Sequence, residues 1–284
     1  MARAFVRSIS FPLSPSRSPK SRAPSSSYHG RSVSLPCRSH PILAHLHTHI
    51  RAVLAWAQQG PAALASSVAA GLAHVDALHA ALGDLLDLPE AQDALSGAGG
   101  SVDRLLDSFL RLVDAHGCFQ EAVVALKQDV ADALAAVRRR DGARLASAVR
   151  AQRRAGQELA RLAATARESA VRPSRLSILG GTQGSAAEVE VTGLLMESAA
   201  ATASASAALF GAVAAMSGSV EAESCSCKGT AALSMSGSVV ADVAERLEEL
   251  EECIEELEAG SEKVFRSLVQ TRVALLNIHT LHIF

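Results

Sequence analysis

The chain has 284 residues, 27 Lys and Arg against 29 Asp and Glu, and 49 % apolar residues, a balance that excludes a chain disordered throughout and allows a buried core. Aromatics make up only 3 %, and the apolar residues are mostly Ala, Leu and Val, which suits closely packed helices and suits strands poorly. The expected class is all-α: an elongated multi-helix bundle, with a disordered amino-terminal arm over 1–41 and a helical domain over 42–284.

The near-zero net charge hides an asymmetry. No Asp or Glu precedes Asp76, whereas Arg3, Arg7, Arg17, Lys20, Arg22, Arg31, Arg38 and Arg51 all do. The arm is thus basic, rich in Ser and Pro, and too poor in apolar residues to offset its chain entropy. Pro12, Pro15, Pro19 and Pro24 interrupt any apolar core of a secretory signal. The same Ser- and Arg-rich, acid-free composition resembles an organelle transit peptide. Cys37, Cys118, Cys225, Cys227 and Cys253 are odd in number and scattered, which fits a reducing compartment better than a disulfide framework. A cytoplasmic protein is expected, with chloroplast or membrane association as the alternatives.

The arm carries two near copies of one hexapeptide, Arg7-Ser8-Ile9-Ser10-Phe11-Pro12 and Arg31-Ser32-Val33-Ser34-Leu35-Pro36. Arg three residues before Ser10 and Ser34 suits basophilic kinases, and R-S-x-S-x-P phosphorylated on its second Ser resembles a ligand of 14-3-3-type phosphoserine readers. Arg7, Ser10, Pro12, Arg31, Ser34 and Pro36 are therefore the candidate docking residues. Two copies on one arm would engage both protomers of a dimeric reader, raising avidity.

Helical patterning begins near Ile42 and continues to about Gln59, where Gly60-Pro61 breaks it. It resumes through Leu64, Val68, Leu72, Val75, Leu78, Leu82 and Leu85, with Pro89 expected to close that helix. After the glycines at 97, 99 and 100, Ser101 is the expected N-cap of a helix with Leu105, Leu106, Phe109, Leu110 and Val113, and Gly117 is expected to bend it. Val123, Leu126, Val130, Leu134 and Val137 stripe the next helix, which ends in Arg138-Arg139-Arg140 at the negative end of its dipole. Asp141-Gly142 turns the chain into a basic helix that fades at Arg172-Pro173.

A linker is expected over about 172–187 and another over 218–237. Between them, the uncharged run from Glu197 to Glu221 is long enough to span a bilayer. Its Ala, Ser, Thr and Gly content, with Leu209, Phe210, Val213, Met216 and Val220 mainly on one stripe, predicts instead a helix packed against protein.

The last helix has the sharpest pattern. Positions 240, 247, 254, 261, 268 and 275 read Val, Leu, Ile, Ser, Leu, Leu, and positions 243, 250, 257, 264, 271 and 278 read Val, Leu, Leu, Val, Thr, Ile. This is a heptad seam with Ser261 and Thr271 as its breaks. Arg246, Cys253 and Gly260 flank it in place of complementary charges, and Phe265, Val269, Val273 and Leu276 spread apolar character round the helix. Burial on several sides inside the chain's own bundle is expected, rather than a charge-coded zipper. The basic stretch from Arg138 to Arg175 and the acidic one from Asp242 to Glu262 are expected to pair within the molecule.

His45, His47 and His49 are expected to lie on a solvated helix face, since no Asp, Glu or Cys nearby completes a metal shell. Neither a metal nor a cofactor is expected. The basic helix could contact an anionic membrane surface, though Leu145, Val149, Leu159 and Leu162 are its only sizeable apolar anchors. It lacks aromatics to stack bases, so nucleic acid is not an expected partner. No phosphate-cradling glycine loop, nucleophile elbow or paired acid/base set appears, and a non-enzymatic protein is expected.

Five strings carry a family resemblance: Arg31 to Pro41, Leu85 to Leu95, Val102 to Asp114, Ala136 to Arg140, and Phe265 to Asn277. In order and spacing they resemble the plant-specific family of helical proteins of unknown biochemical function related to BYPASS, over about residues 31 to 278. The resemblance implies a land-plant source, no assigned enzyme activity, and a role in root and shoot development. The second R-S-x-S-x-P copy near the amino terminus departs from that pattern. The expected function is a helical interaction or regulatory protein with a phosphorylatable arm. The alternatives are a peripheral membrane or organelle-associated protein and a self-associating coiled coil.

Overall fold

A computed structural model describes residues 41–59, 67–171, 185–226 and 237–281. Among them the chain forms seven helices: α1 Pro41–Ala57, α2 Val68–Leu86, α3 Pro89–Ser96, α4 Gly99–Arg139, α5 Gly142–Val171, α6 Ala186–Ser226 and α7 Gly237–Leu281. The all-α expectation holds. Residues 1–40, the Gly60-Pro61 break and most of the two expected linkers lie outside the described residues.

Helix α1 buries Leu43, Leu46, Ile50, Val53 and Trp56, spaced three and four apart, against α2 and α6. Helix α2 buries Val68, Leu72, Val75, Leu78, Leu82 and Leu85 in the same way. The helix ends at Leu86, before Pro89, as expected, and Pro89 also opens the next one: it occupies the first turn of α3, where a missing N–H costs nothing and a fixed φ already suits the helix. Gln92 Nε2 donates to the Leu86 carbonyl at 2.9 Å, satisfying a free acceptor at the end of α2.

Helix α4 runs 41 residues, about 60 Å at 1.5 Å per residue. Two local expectations fail here. Ser101 lies inside the first turn and the N-cap is Ala98, with no side-chain cap. Gly117 does not break the helix; an interior Gly costs roughly 1 kcal/mol, and burial of His116 and Phe119 on either side holds the turn. At the far end Arg140 takes a left-handed conformation (φ 55°), and its N–H bonds back to α4 carbonyls. Asp141 Oδ1 then accepts from the Ala143 and Arg144 N–H groups at 3.2 and 3.1 Å, capping α5. Two residues thus reverse the chain between two long helices.

Helix α6 is surrounded. It packs on α5 above all, and also on α1, α2, α3, α4 and α7. No residue from Ser198 to Ala214 is exposed, so the single apolar stripe expected here is replaced by burial on every side. Small side chains make this feasible, because Ala201, Ala203, Ala205 and Ala207 let neighbours approach closely. The helix is long and apolar enough to cross a membrane, but most of its apolar window is buried in the bundle. Helical backbone continues to Ser226, so the first part of the linker expected at 218–237 is helix instead.

The heptad seam of α7 is filled by the chain itself. Val243, Leu247, Leu250, Ile254, Leu257, Ser261, Val264, Leu268, Thr271, Leu275 and Ile278 are all buried, mainly against α4 and α2. Ser261 and Thr271 are therefore members of the seam and not breaks in it. Burial on several sides after Val264 is met only in part: Phe265 and Val269 are half-buried, but Val273 is 45 % and Leu276 38 % exposed, on a side of α7 that its neighbours α2 and α4 leave open. Helix α7 runs antiparallel to α4, with Lys127 on Glu258 and His279 facing Asp103, and parallel to α2, with Ser267 donating to Asp76 at 2.6 Å.

The expected pairing of the basic and acidic stretches is met at one end only, at Arg138, and the rest takes a different route. The acids of α7 meet cations of α4, as Lys127 with Glu258 at 2.5 Å and Arg138 with Glu248 at 3.9 Å. Helix α5 packs against α4 and α6, and its arginines pair locally, Arg144 with Asp141 and Arg161 with Glu158. The physical reason is position: the apolar face of α5 is committed to α6, which leaves its cations pointing away from α7.

Candidate functional site

Two histidines lie in the middle of the bundle. His79 occupies the apolar stripe of α2 and is 3 % exposed; His116 occupies that of α4 and is 1 % exposed. His79 Nδ1 stands 3.0 Å from the Thr271 hydroxyl on α7, and its Nε2 3.1 Å from the Thr202 hydroxyl on α6. His116 Nε2 is 2.8 Å from the Ser206 hydroxyl. Ser198, Thr202 and Ser206 follow one another every four residues on α6, each donating to the carbonyl a turn earlier. Each hydroxyl can donate to its own helix, which leaves its oxygen free to accept from an imidazole N–H: Ser206 can accept from His116, and one of Thr202 and Thr271 from the single N–H of neutral His79. One His79 nitrogen carries a proton, and the hydroxyl facing the other must turn its proton to it.

Phe109 stands edge-on to His79, and Phe210 edge-on to His116 while stacked on Phe119. In these apolar surroundings burial pushes His79 down to about 4 and His116 to about 3, the latter with repulsion from His79. Both are neutral at pH 7. A cavity beside His116, lined by Trp56, Val75, Ser206 and Leu209, holds about 10 Å³, close to the room one water needs. The pair is thus a set of polar staples joining α2, α4, α6 and α7, with no space for a substrate. The sequence signal was there, since His79 and His116 both fall on core register positions.

The surface presents three further features. On α1, His45 and His49 bring their Nε2 atoms within 3.0 Å of each other, rings edge to face. Burial, then His45 and then His74 on α2, push His49 below its usual range. His47 is exposed, two residues from each partner along the helix. Among the described residues no group of three or more His, Cys, Asp or Glu side chains is arranged around one point as a metal would need.

The end of α4, the turn after it and the outward face of α5 expose Arg138, Arg139, Arg140, Arg144, Arg150, Arg154, Arg161 and Arg167. A groove of about 260 Å³ lies between α4 and α5, floored by Leu112, Ala115, Leu162 and Ala166, with Arg111, Asp114 and the exposed Cys118 at its edges. Cys253 is half-buried on α7 with its Sγ 3.8 Å from Met216, and burial pushes its thiol up, away from thiolate reactivity.

The six docking candidates, Arg7, Ser10, Pro12, Arg31, Ser34 and Pro36, lie outside the described residues, as do Cys37 and Cys227. A family model described as Protein BPS1 matches residues 71–236 and 218–278, taking in α2 to α7. No curated protein and no solved structure matches the chain.

Proposed function

The chain belongs to the Protein BPS1 family, and from that premise we propose that it is a non-enzymatic helical interaction and regulatory protein acting in root and shoot development. In this reading its amino-terminal arm is phosphorylated at Ser10 and Ser34 and then held by a 14-3-3-type phosphoserine reader in the cytoplasm. The observation that carries it is the duplication of R-S-x-S-x-P at Arg7–Pro12 and Arg31–Pro36 in an arm without a single acidic residue. Each phosphate adds a charge of about −1.5 to −2 and three strong acceptors, the chemistry that arginine clusters capture. Ser10 and Ser34 are 24 residues apart, a chain length that reaches about 80 Å when fully extended, enough to enter two grooves of one dimeric reader.

The bundle bears on the coiled-coil alternative only. Its two most perturbed imidazoles are sealed in the core, and its heptad seam is spent on internal packing. A coiled coil through that seam would first have to unpack it from α4 and α2, which disfavours that alternative. The test is direct: the full chain, treated with a basophilic plant kinase, gains measurable 14-3-3 affinity, and the Ser10→Ala, Ser34→Ala double change removes it. No gain, or a gain that survives the double change, overturns the reading.

The exposed arginine face of α5 favours a second reading, peripheral attachment to an anionic membrane surface. Fractionation separates the two, since a fully soluble pool with an intact amino terminus rules out stable attachment.

A further inference from the structure

The pair on α1 has the spacing of a chelate, its two Nε2 atoms now joined by a hydrogen bond that an ion would replace. Helical spacing of four puts His45 and His49 one above the other on a face that solvent reaches, and their Nε2 atoms stand 3.0 Å apart. Imidazole nitrogen binds first-row transition metals at about 2.0–2.1 Å. Two nitrogens 3.0 Å apart, each at that distance from one ion, subtend about 90° at it. That is the angle between adjacent ligands in square-planar or tetragonal coordination, and it is narrower than a tetrahedron requires. The helix fixes both backbones before any ion arrives, so little further ordering is needed.

We propose that His45 and His49 form a two-imidazole site for a divalent transition-metal ion of tetragonal preference, Cu²⁺ foremost, with solvent filling the remaining positions. His74 on α2 adds a third imidazole to the neighbourhood, close enough for its charge to be felt at His49. His47 serves as an internal control, because its place in the helix turns it away from the pair.

The experiment is titration of the full chain with Cu²⁺ under non-reducing conditions, followed by calorimetry and by the electron paramagnetic resonance spectrum of the bound ion. One site with a two-nitrogen signature is expected. His45→Ala and His49→Ala each weaken it by on the order of tenfold or more, whereas His47→Ala leaves it unchanged. Both pair residues are on the surface of a helix, so the variants keep the helical circular dichroism of the parent, and this is checked. Cu²⁺ is further expected to raise the melting temperature of the parent and not of the double variant. Binding that persists at equal strength in the His45→Ala, His49→Ala protein, or a parent that binds no ion, overturns the proposal.

Discussion

The indole of Trp56 lies directly over Gly71, so that a Cβ built on the glycine would come within 2.1 Å of the ring atom Cζ2. The ring is held there by its Nε1–H, which donates to the Ser67 carbonyl at 3.1 Å and meets the Ser67 hydroxyl at 3.0 Å. Gly71→Ala must therefore displace a buried tryptophan from both its packing and its hydrogen bonds. Overpacking of this kind costs about 1–3 kcal/mol or more. Chemical denaturation of the variant is expected to show a lower midpoint and altered Trp fluorescence, as Trp56 is the sole tryptophan. An unchanged midpoint contradicts the packing.

Stability is expected to fall in acid from a definite starting point. His79 and His116 stay neutral in the folded bundle down to about 4 and 3, whereas in the unfolded chain they take up protons near 6.5. The unfolded state thus binds more protons between those values, and folding free energy declines as pH drops from about 6.5 toward 3. Changing His79 to Leu is expected to flatten part of that decline in a denaturation series against pH. It also leaves Thr202 and Thr271 without their imidazole partner, which lowers stability at pH 7. A parent whose stability is constant from pH 7 to pH 4 contradicts the burial of the pair.

Leu250 and Leu257 are 4 % and 0 % exposed within the chain's own bundle. Truncating either to Ala is expected to cost about 2–5 kcal/mol and to leave the molecular mass in light scattering unchanged. A change from dimer to monomer without loss of stability would mean that the seam joins two chains.

Arg140 ends α4 with φ at 55°, a region that charges a side-chain-bearing residue about 1 kcal/mol and glycine nothing. Arg140→Gly is expected to stabilise the protein by about 0.5–1 kcal/mol, reduced slightly by losing a cation from the helix end. Thermal melts of the two proteins decide it.

Much of this architecture could be read from spacing alone. The seam of α7 from Val243 to Ile278, the stripe of α4 from Val123 to Val137 and the turn at Asp141 stand where periodicity and turn chemistry put them. What spacing missed was decided by neighbours far along the chain. Gly117 stays helical because the residues around it are buried by other elements, and Val273 is exposed because no helix covers that side of α7. Pro89 obeys two local rules at once, the stop for α2 and the start for α3, of which only the stop was read. The buried histidines fell on the apolar stripes, yet their partners Thr202, Ser206 and Thr271 lie 90 to 192 residues away, beyond any pattern a window can hold. Of the surface features, the His45 and His49 pair was visible as a helical spacing, and only coordinates gave the 3.0 Å separation.

The role assigned to the arm is tested most directly by titrating a dimeric 14-3-3 protein with the full chain phosphorylated at both Ser10 and Ser34, alongside the Ser10→Ala and Ser34→Ala single variants. The account predicts one chain per reader dimer and a loss of affinity of about a hundredfold when either serine is removed, because the second site then no longer binds intramolecularly. An affinity indifferent to the loss of either serine, or equal to that of the unphosphorylated chain, would contradict it.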